Sequence, residues 1–168
     1  MEPGLVLPIS HVFATSFKSE MIRRLALFDI DGTILTTQGR AVQAMMAALE
    51  DVYGLRPEND GYLMDGKTEL RIVHELLGAS GRSRAEVEAG LPNFWLRYSV
   101  ALEGCIHPGA TVVYPGVSAL IARLHDRGDV ALGLLTGNCP DAASIKLGAA
   151  GLNGAFSFGA FGERHEER

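Results

Sequence analysis

Two aspartates, Asp29 and Asp31, stand one residue apart directly after an apolar run. Neighbouring carboxylates repel each other unless a cation lies between them, and Mg²⁺ is a hard divalent ion that suits carboxylate oxygens. One carboxylate can attack phosphorus while the other moves a proton for the leaving group. The pair therefore indicates covalent phosphoryl transfer with Mg²⁺ as cofactor. The alternative is a turn that carries two solvated aspartates.

The apolar run over residues 25–30 must position this pair, and it predicts a strand buried on both faces inside a parallel sheet. Ligands bind at the carboxyl ends of such strands, and side chains two residues apart share a face. Asp29 and Asp31 are therefore expected to face the same ligand. Gly32 allows the chain to leave the strand sharply and to bring backbone N–H groups close to an anion.

A second buried strand is predicted over residues 130–135, and it ends in Thr136, Gly137 and Asn138. A hydroxyl at the carboxyl end of a strand can donate to a phosphoryl oxygen, and the glycine permits close approach of the backbone. The next helix begins favourably at Pro140. This loop is therefore expected to bind phosphate, the alternative being an ordinary turn.

The sequence from Phe28 to Thr33 resembles the first motif of the haloacid dehalogenase (HAD) superfamily, which reads D-x-D-G-T in its phosphatases. The strand that ends at Thr136 resembles the second motif, and Lys146 resembles the lysine of the third. Dehalogenases lack the second aspartate, so Asp31 favours the phosphatase branch. The resemblance implies an α/β fold, a HAD-like Rossmannoid parallel sheet with an inserted helical cap. It also implies a Mg²⁺-dependent phosphomonoester hydrolase similar to phosphoglycolate phosphatase.

The same resemblance implies a role for each matching residue. Asp29 is expected to be the nucleophile that forms an aspartyl-phosphate, and Asp31 the general acid and then the base for water. Both are expected at the Mg²⁺ site, Asp31 through its backbone carbonyl. Lys146 is expected to offset the charge of the phosphoenzyme, the alternative being a surface lysine. The residues expected to hold the phosphoryl group are Thr136, Gly137 and Asn138.

Residues 36–114 show helical spacing without a buried strand, and they interrupt the α/β pattern. This insertion resembles a C1 cap, which closes over the phosphate pocket and contacts the leaving group. Three helices are predicted in it: one that ends at Gly54, one that ends at Gly78, and one that opens at a capping box from Ser83 to Glu86 and is interrupted or kinked at Pro92.

Within the insertion, the residues from Asp65 to Thr68 precede the second helix. A helix N-terminus beside a lysine can hold an anion, which makes Lys67 a candidate substrate-binding residue, with Arg71 near it. The alternative is an ordinary helix cap, with Asp65 or Thr68 as the capping residue.

The domain division expected from these patterns has three parts. A disordered tail is expected over residues 1–24, with Met21 as a plausible start of translation. The α/β core is expected over residues 25–35 and 115–168, with a third strand over residues 156–161. The cap is expected over residues 36–114, with hinges at residues 36–37 and 114–116.

Composition and net charge limit the kinds of binding partner and the location of the protein. The chain has 168 residues and a net charge of −5, which argues against nucleic acid as a main partner. The small phosphorylated metabolite that we expect as a partner is implied by the family resemblance and not by the charge. The two cysteines, Cys105 and Cys139, form neither a metal-binding spacing nor a disulfide framework, which favours a reducing cytoplasm. No apolar run is long enough to span a membrane.

In the family, a helix, a fourth strand and an acidic fourth motif that supplies Mg²⁺ ligands follow the third strand, and no match to them precedes Arg168. We therefore expect a C-terminally truncated chain with little or no activity of its own. Without a fourth strand, residues 25–30 would form an exposed apolar edge that favours self-association. Two alternatives to a phosphatase stay open: a phosphotransferase of the β-phosphoglucomutase kind, and a non-catalytic HAD fragment.

Overall fold

A computed structural model describes residues 22–164 and residue 166. The elements of this part are β1 (Arg24–Phe28), β2 (Leu35–Thr36), α1 (Arg40–Tyr53), α2 (Glu69–Ala79), α3 (Arg84–Cys105), β3 (Val112–Val113), α4 (Val117–His125), β4 (Val130–Leu135), α5 (Pro140–Ala149) and β5 (Phe158–Ala160). The predicted tail lies outside the described residues as far as residue 21. Its last predicted residue, Arg24, already belongs to β1, because it pairs with β4.

The core is a three-stranded parallel sheet in the order β1-β4-β5. β1 and β4 pair from Arg24 opposite Val130 to Phe28 opposite Leu134. α4 and α5 make the crossovers that parallel neighbours require. This arrangement confirms the predicted α/β fold with a parallel sheet. β4 has the predicted bounds, whereas β5 is shorter than the predicted third strand.

Within the described residues, one face of this sheet is covered by helices and the other face is left exposed. Leu134 packs with Ala143 and Leu147 of α5 in a buried apolar cluster. On the opposite face, Leu25 and Leu27 of β1 are 58% and 47% exposed. The prediction that this strand is buried on both faces is therefore wrong. β1 lies at the edge of the described sheet, and no described element covers the face on which these two leucines project.

A two-stranded antiparallel ribbon joins the core to the helical insertion. Leu35 pairs with Val113 and Thr36 with Val112. The segment that leaves the core and the segment that returns to it are therefore paired with each other. The Tyr114 N–H donates to the Ile34 carbonyl at 3.0 Å and extends the contact toward the core. The expected hinge positions lie in or directly beside this ribbon.

Local signals explain the ends of the inserted helices. α1 ends at Gly54, which has a φ of 69° and donates its N–H to the Glu50 carbonyl. α3 begins with the predicted capping box between Ser83 and Glu86. α3 is not interrupted at Pro92, contrary to one form of the prediction. The proline removes one backbone hydrogen-bond donor from α3. The helix continues past Pro92 because its buried side chains pack against α1 along its length.

Among the described residues, buried apolar side chains form two clusters. The larger cluster fills the space among α1, α2 and α3 and includes Leu49, Phe94 and Leu102. It also takes in Cys139 and Ala142 at the start of α5, so the insertion packs directly against the core. None of the helices in the described part combines the length and the apolar character needed to cross a membrane.

Candidate active site

A cavity of about 580 Å³ lies between the carboxyl ends of the core strands and the helical insertion. Its core side is lined by Asp29, Asp31, Thr33, Gly137, Asn138 and Lys146. Its insertion side is lined by Val42, Met45, Met64, Lys67, Glu69, Ile72 and Tyr98, among others. All but one of the predicted site residues therefore meet at one cavity. Thr136 is the exception, since it is buried beneath the lining.

Beyond the end of β1, successive side chains still point to opposite sides of the chain, as expected for the aspartate pair. Asp29 and Asp31 both line the cavity, and Ile30 between them is fully buried in the core. The Ile30 N–H donates to Asp29 Oδ1 at 2.8 Å. The turn that follows has Gly32 at a φ of 77°. The two carboxylates can therefore reach one ligand.

The backbone of this turn does not offer the anion site expected at Gly32. The Gly32 N–H donates to the Leu35 carbonyl at 3.0 Å, and the Thr33 N–H donates to the Ile30 carbonyl at 3.2 Å. A backbone donor that already has a partner inside a tight turn cannot turn to a ligand without breaking that bond. An anion in the cavity must therefore find donors other than these two N–H groups.

Lys146 is a buried cation on α5 that points at the second aspartate. Its Nζ donates to Asp31 Oδ2 at 2.8 Å and to Asn138 Oδ1. Asn138 Nδ2 donates to the same Asp31 oxygen at 2.8 Å and to Thr136 Oγ1 at 2.7 Å. The alternative of a surface lysine is thereby excluded. Its ion-pair partner is Asp31, whereas the sequence resemblance placed its charge against the phosphoenzyme at Asp29.

The loop after β4 differs in detail from its expected use. The hydroxyl of Thr136 accepts from the Asn138 amide group, so it lies below the cavity floor. Gly137 and Asn138 line the cavity. The Gly137 carbonyl accepts from the N–H of Glu69, a residue of the insertion. The loop after β4 is therefore held by a hydrogen bond within itself and by another from the insertion.

Lys67 stands on the insertion side of the cavity with its charge already paired. Its Nζ lies 2.6 Å from Glu75 Oε2 and 4.0 Å from the centre of the Tyr62 ring. Glu75 also accepts from the Tyr62 hydroxyl and from Arg71 Nε, each at 2.6 Å. These hydrogen bonds, that of Lys67 first, lower the pKa of Glu75 to about 2.

The helix-cap interpretation of the segment before α2 is confirmed for Thr68. Its Oγ1 accepts from the Arg71 N–H at 3.2 Å, and its backbone is extended, as expected of an N-cap residue. The anion-binding interpretation of Lys67 stays a prediction. The two are compatible, because the cap uses the threonine and leaves the lysine side chain in the cavity wall.

Glu69 is a site residue that the sequence analysis missed. It is the first residue of α2 and is buried, with Tyr98 Oη donating to its Oε1 and the Cys139 N–H donating to its Oε2, both at 2.7 Å. Burial raises the pKa of Glu69 and that of Tyr98. An acidic residue in the first turn of a helix is ordinarily explained by the helix dipole, so the sequence carries no signal of this burial.

Cys139 lies beside the site, and its surroundings disfavour the thiolate. It is buried at the N-cap position of α5. Burial, reinforced by the Glu69 carboxylate, raises the pKa of the thiol well above its usual range. A thiol that stays protonated is a poor nucleophile.

The oxygen donors of the cavity fit a hard divalent cation in kind. The carboxylates of Asp29 and Asp31 line one wall together with Thr33. In the part of the chain that the structure describes, no group of three or more histidine, cysteine, aspartate or glutamate side chains is placed to hold a metal ion. These residues therefore suit Mg²⁺ in donor chemistry and would supply only part of its coordination sphere.

Comparisons with known proteins agree with this architecture. No curated protein is similar enough in sequence to match the chain. CbbY from Rhodobacter sphaeroides, solved with phosphate, is 19% identical with a TM-score of 0.62, and 88% of this chain covers 67% of it. A β-phosphoglucomutase from Clostridium difficile is 18% identical with a TM-score of 0.62, and 88% of this chain covers 65% of it.

A predicted phosphoglycolate phosphatase from Haemophilus somnus is 19% identical with a TM-score of 0.57, and 86% of this chain covers 64% of it. The chain therefore spans somewhat less than two thirds of that protein. Likeness at this level of identity shows a shared fold. The family model of haloacid dehalogenase-like hydrolases matches residues 24–167. Because this match covers most of the sequence, the chain belongs to the haloacid dehalogenase-like hydrolase family.

Proposed function

We propose that the protein is a Mg²⁺-dependent phosphomonoester hydrolase that works through an aspartyl-phosphate on Asp29. The observation that carries this proposal is the convergence of Asp29, Asp31, Asn138 and Lys146 on one cavity at the carboxyl ends of β1 and β4. Membership of a hydrolase family supports the reaction class. The substrate class is a small phosphorylated metabolite, which the cavity volume accommodates.

The reaction follows from the placement of the two aspartates. A carboxylate oxygen of Asp29 attacks phosphorus as the bond to the leaving-group oxygen breaks, and Asp31 gives that oxygen a proton. Asp31 then takes a proton from the water that attacks the phosphoenzyme, which releases phosphate and restores Asp29. Asp31 Oδ2 accepts from Lys146 and Asn138, so we assign the proton transfer to Oδ1.

The remaining residues bind and orient. Gly137 and Asn138 contact the phosphoryl group from the floor of the cavity, and Thr136 holds the Asn138 amide in place from below. Lys146 holds Asp31 and lowers the negative potential at the phosphoryl group. Lys67 contacts the leaving group from the insertion side.

The cofactor of this proposal is Mg²⁺. The Asp29 carboxylate and the Asp31 backbone carbonyl would hold it. When bound, it neutralises charge on the phosphoryl group and on the attacking carboxylate.

Turnover of an aryl phosphate tests the proposal. The experiment uses the longest chain that the gene encodes, with the 168-residue chain beside it, and each is assayed with Mg²⁺ and with a chelator. We expect chelator-sensitive release of inorganic phosphate from the longest chain and none from Asp29→Asn, whose amide cannot attack phosphorus. Near-normal turnover by that variant would contradict the assignment. Retention of the phosphoryl group on a sugar phosphate would favour a phosphomutase instead.

A further inference from the structure

Glu69 contacts the loop after β4 with both its backbone and its side chain. Its N–H donates to the Gly137 carbonyl at 2.8 Å, and its Oε2 accepts from the Cys139 N–H at 2.7 Å. Glu69 belongs to α2 of the helical insertion, whereas Gly137 and Cys139 belong to the core. One residue therefore spans the boundary between the insertion and the core.

The carboxylate of Glu69 also provides the N-terminal hydrogen-bond acceptor that the N-cap residue of α5 does not supply. Cys139 is the N-cap residue of α5, and its own side chain makes no capping hydrogen bond. A carboxylate at a helix N-terminus accepts from free N–H groups and is stabilised by the helix dipole. Glu69 supplies this carboxylate from a different helix, so docking of α2 completes the start of α5.

Both oxygens of this buried carboxylate act as acceptors. Tyr98 Oη donates to Oε1 at 2.7 Å, and Lys146 Nζ lies 4.0 Å from the same oxygen. A buried carboxylate is retained only where hydrogen bonds and opposite charge replace its lost hydration. The partners of Glu69 are therefore consistent with an anchor rather than with a group that exchanges protons with a substrate.

The anchor acts on the residues that surround Asp31. Asn138 lies between Gly137 and Cys139, the two residues that Glu69 contacts, and Lys146 is carried by the helix that Glu69 caps. Displacement of α2 from the core would release this loop on one side. Asn138 Nδ2 and Lys146 Nζ would then lose the support that aims them at Asp31 Oδ2.

We propose that Glu69 is a positioning residue whose carboxylate clasps the loop 137–139 when the insertion is docked, and so holds Asn138 and Lys146 against Asp31. This role rests on the proposed phosphoryl-transfer function. It predicts that the ordered state of the loop depends on an acceptor at position 69, in the absence of any substrate.

Hydrogen exchange at the Cys139 amide tests the clasp, because this N–H donates directly to Glu69 Oε2. Exchange is measured by NMR on the whole 168-residue chain for wild type, Glu69→Gln and Glu69→Ala. Glu103→Ala, at an exposed glutamate of α3, is the matched control. A neutral amide is a weaker acceptor than a carboxylate, and alanine offers none. We expect the Cys139 amide to exchange severalfold faster in Glu69→Gln, roughly tenfold or more faster in Glu69→Ala, and unchanged in the control.

Amides of β4 serve as the reference for the whole fold. Unchanged exchange at β4 with the graded increase at Cys139 would support the clasp. Equal acceleration at β4 and at Cys139 would overturn it, because Glu69 would then act on general stability. Wild-type exchange at Cys139 in either Glu69 variant would also overturn it. If Glu69→Ala does not fold, Glu69→Gln decides, since it keeps the size of the side chain. No turnover is required, so an inactive longest chain would refute the proposed function without refuting the clasp.

Discussion

The ammonium group of Lys146 lies 2.8 Å from Asp31 Oδ2, yet the two side chains differ sharply in exposure, 3% against 47%. The Lys146 ammonium group is held in place by α5 and by its hydrogen bond to Asn138, whereas the Asp31 carboxylate faces the cavity. Under the proposed function, this fixed, desolvated positive charge beside Asp31 would stabilise negative charge that develops in the transition state.

Replacement of this lysine tests its contribution. We expect Lys146→Met to lower kcat for an aryl phosphate by about 100-fold or more. Thermal stability should fall as well, because the buried Asn138 Oδ1 loses its donor and the buried Glu69 carboxylate loses its nearest cation, although the half-exposed Asp31 can be hydrated. Turnover and melting temperature are measured together, with Arg123→Met on the exposed surface of α4 as the control. A wild-type kcat in Lys146→Met would remove the residue from the reaction.

The second prediction concerns Lys67 on the insertion side of the cavity. In the longest chain that the gene encodes, we expect Lys67→Ala to lower kcat/KM for phosphorylated metabolites by about tenfold, because a charge-assisted hydrogen bond to the leaving group is lost. Turnover of a small aryl phosphate should change much less. A panel of both substrate types is compared, with Arg56→Ala at an exposed cation of the insertion as the control. Equal losses on both types would show that Lys67 does not select the leaving group.

The third prediction concerns pH and Glu75. Its pKa is lowered to about 2 in the folded protein, by hydrogen bonds to Lys67, Tyr62 and Arg71. A lowered carboxyl pKa contributes stability above the unfolded-state value near 4.5, and this contribution is lost as the pH falls from about 4.5 toward about 2. The side chain is 34% exposed, so we expect no more than about 1 kcal/mol at neutral pH.

Chemical unfolding of wild type and Glu75→Gln over this range measures the effect. The difference in unfolding free energy between the two proteins should be largest near neutral pH and should shrink toward zero at the acid end. Glu58→Gln, at an exposed loop glutamate, is the control. A constant difference across the range would show that Glu75 acts through packing instead of charge.

The fourth prediction concerns the bare face and open edge of β1. Exposed apolar side chains and the unpaired outer edge of a strand promote association between chains. We expect the wild-type 168-residue chain to associate as its concentration rises, and Leu27→Lys to shift it toward monomer. Leu96→Lys, at a leucine of α3 that is 62% exposed, is the control and should leave the association unchanged. Sedimentation velocity distinguishes these outcomes, and a monomeric wild type at every concentration would refute the prediction.

Elements with strong local signals could be predicted from the sequence. The capping box at Ser83, the glycine at position 54 and the proline at position 140 each act within one turn of a helix, and the helices begin or end there. The gathering of Asp31 and Asn138 at one sheet edge could be predicted too, since parallel strands bring their carboxyl ends together. Lys146, which lies on α5, was expected there only from its resemblance to the third motif of the family.

Features that depend on distant partners could not be predicted in the same way. The apolar composition of β1 does not reveal that Leu25 and Leu27 project on an uncovered face, because burial depends on what packs there. The ion-pair partner of Lys146 and the burial of Glu69 are likewise set by packing of α2 and α5 against residues far away in the chain. Spacing within one helix carries no information about such contacts.

The parallel pairing of Arg24 with Val130 encloses the whole helical insertion between two neighbouring strands. Closing so long a loop costs chain entropy, whereas the packing of α1 with α3 joins segments much nearer in sequence. We expect the insertion to become ordered early in folding and β1 to find its partner late, although β1 is synthesised first. Order in the insertion, together with the ribbon of β2 and β3, would shorten the effective loop and bring β1 and β4 within reach of each other.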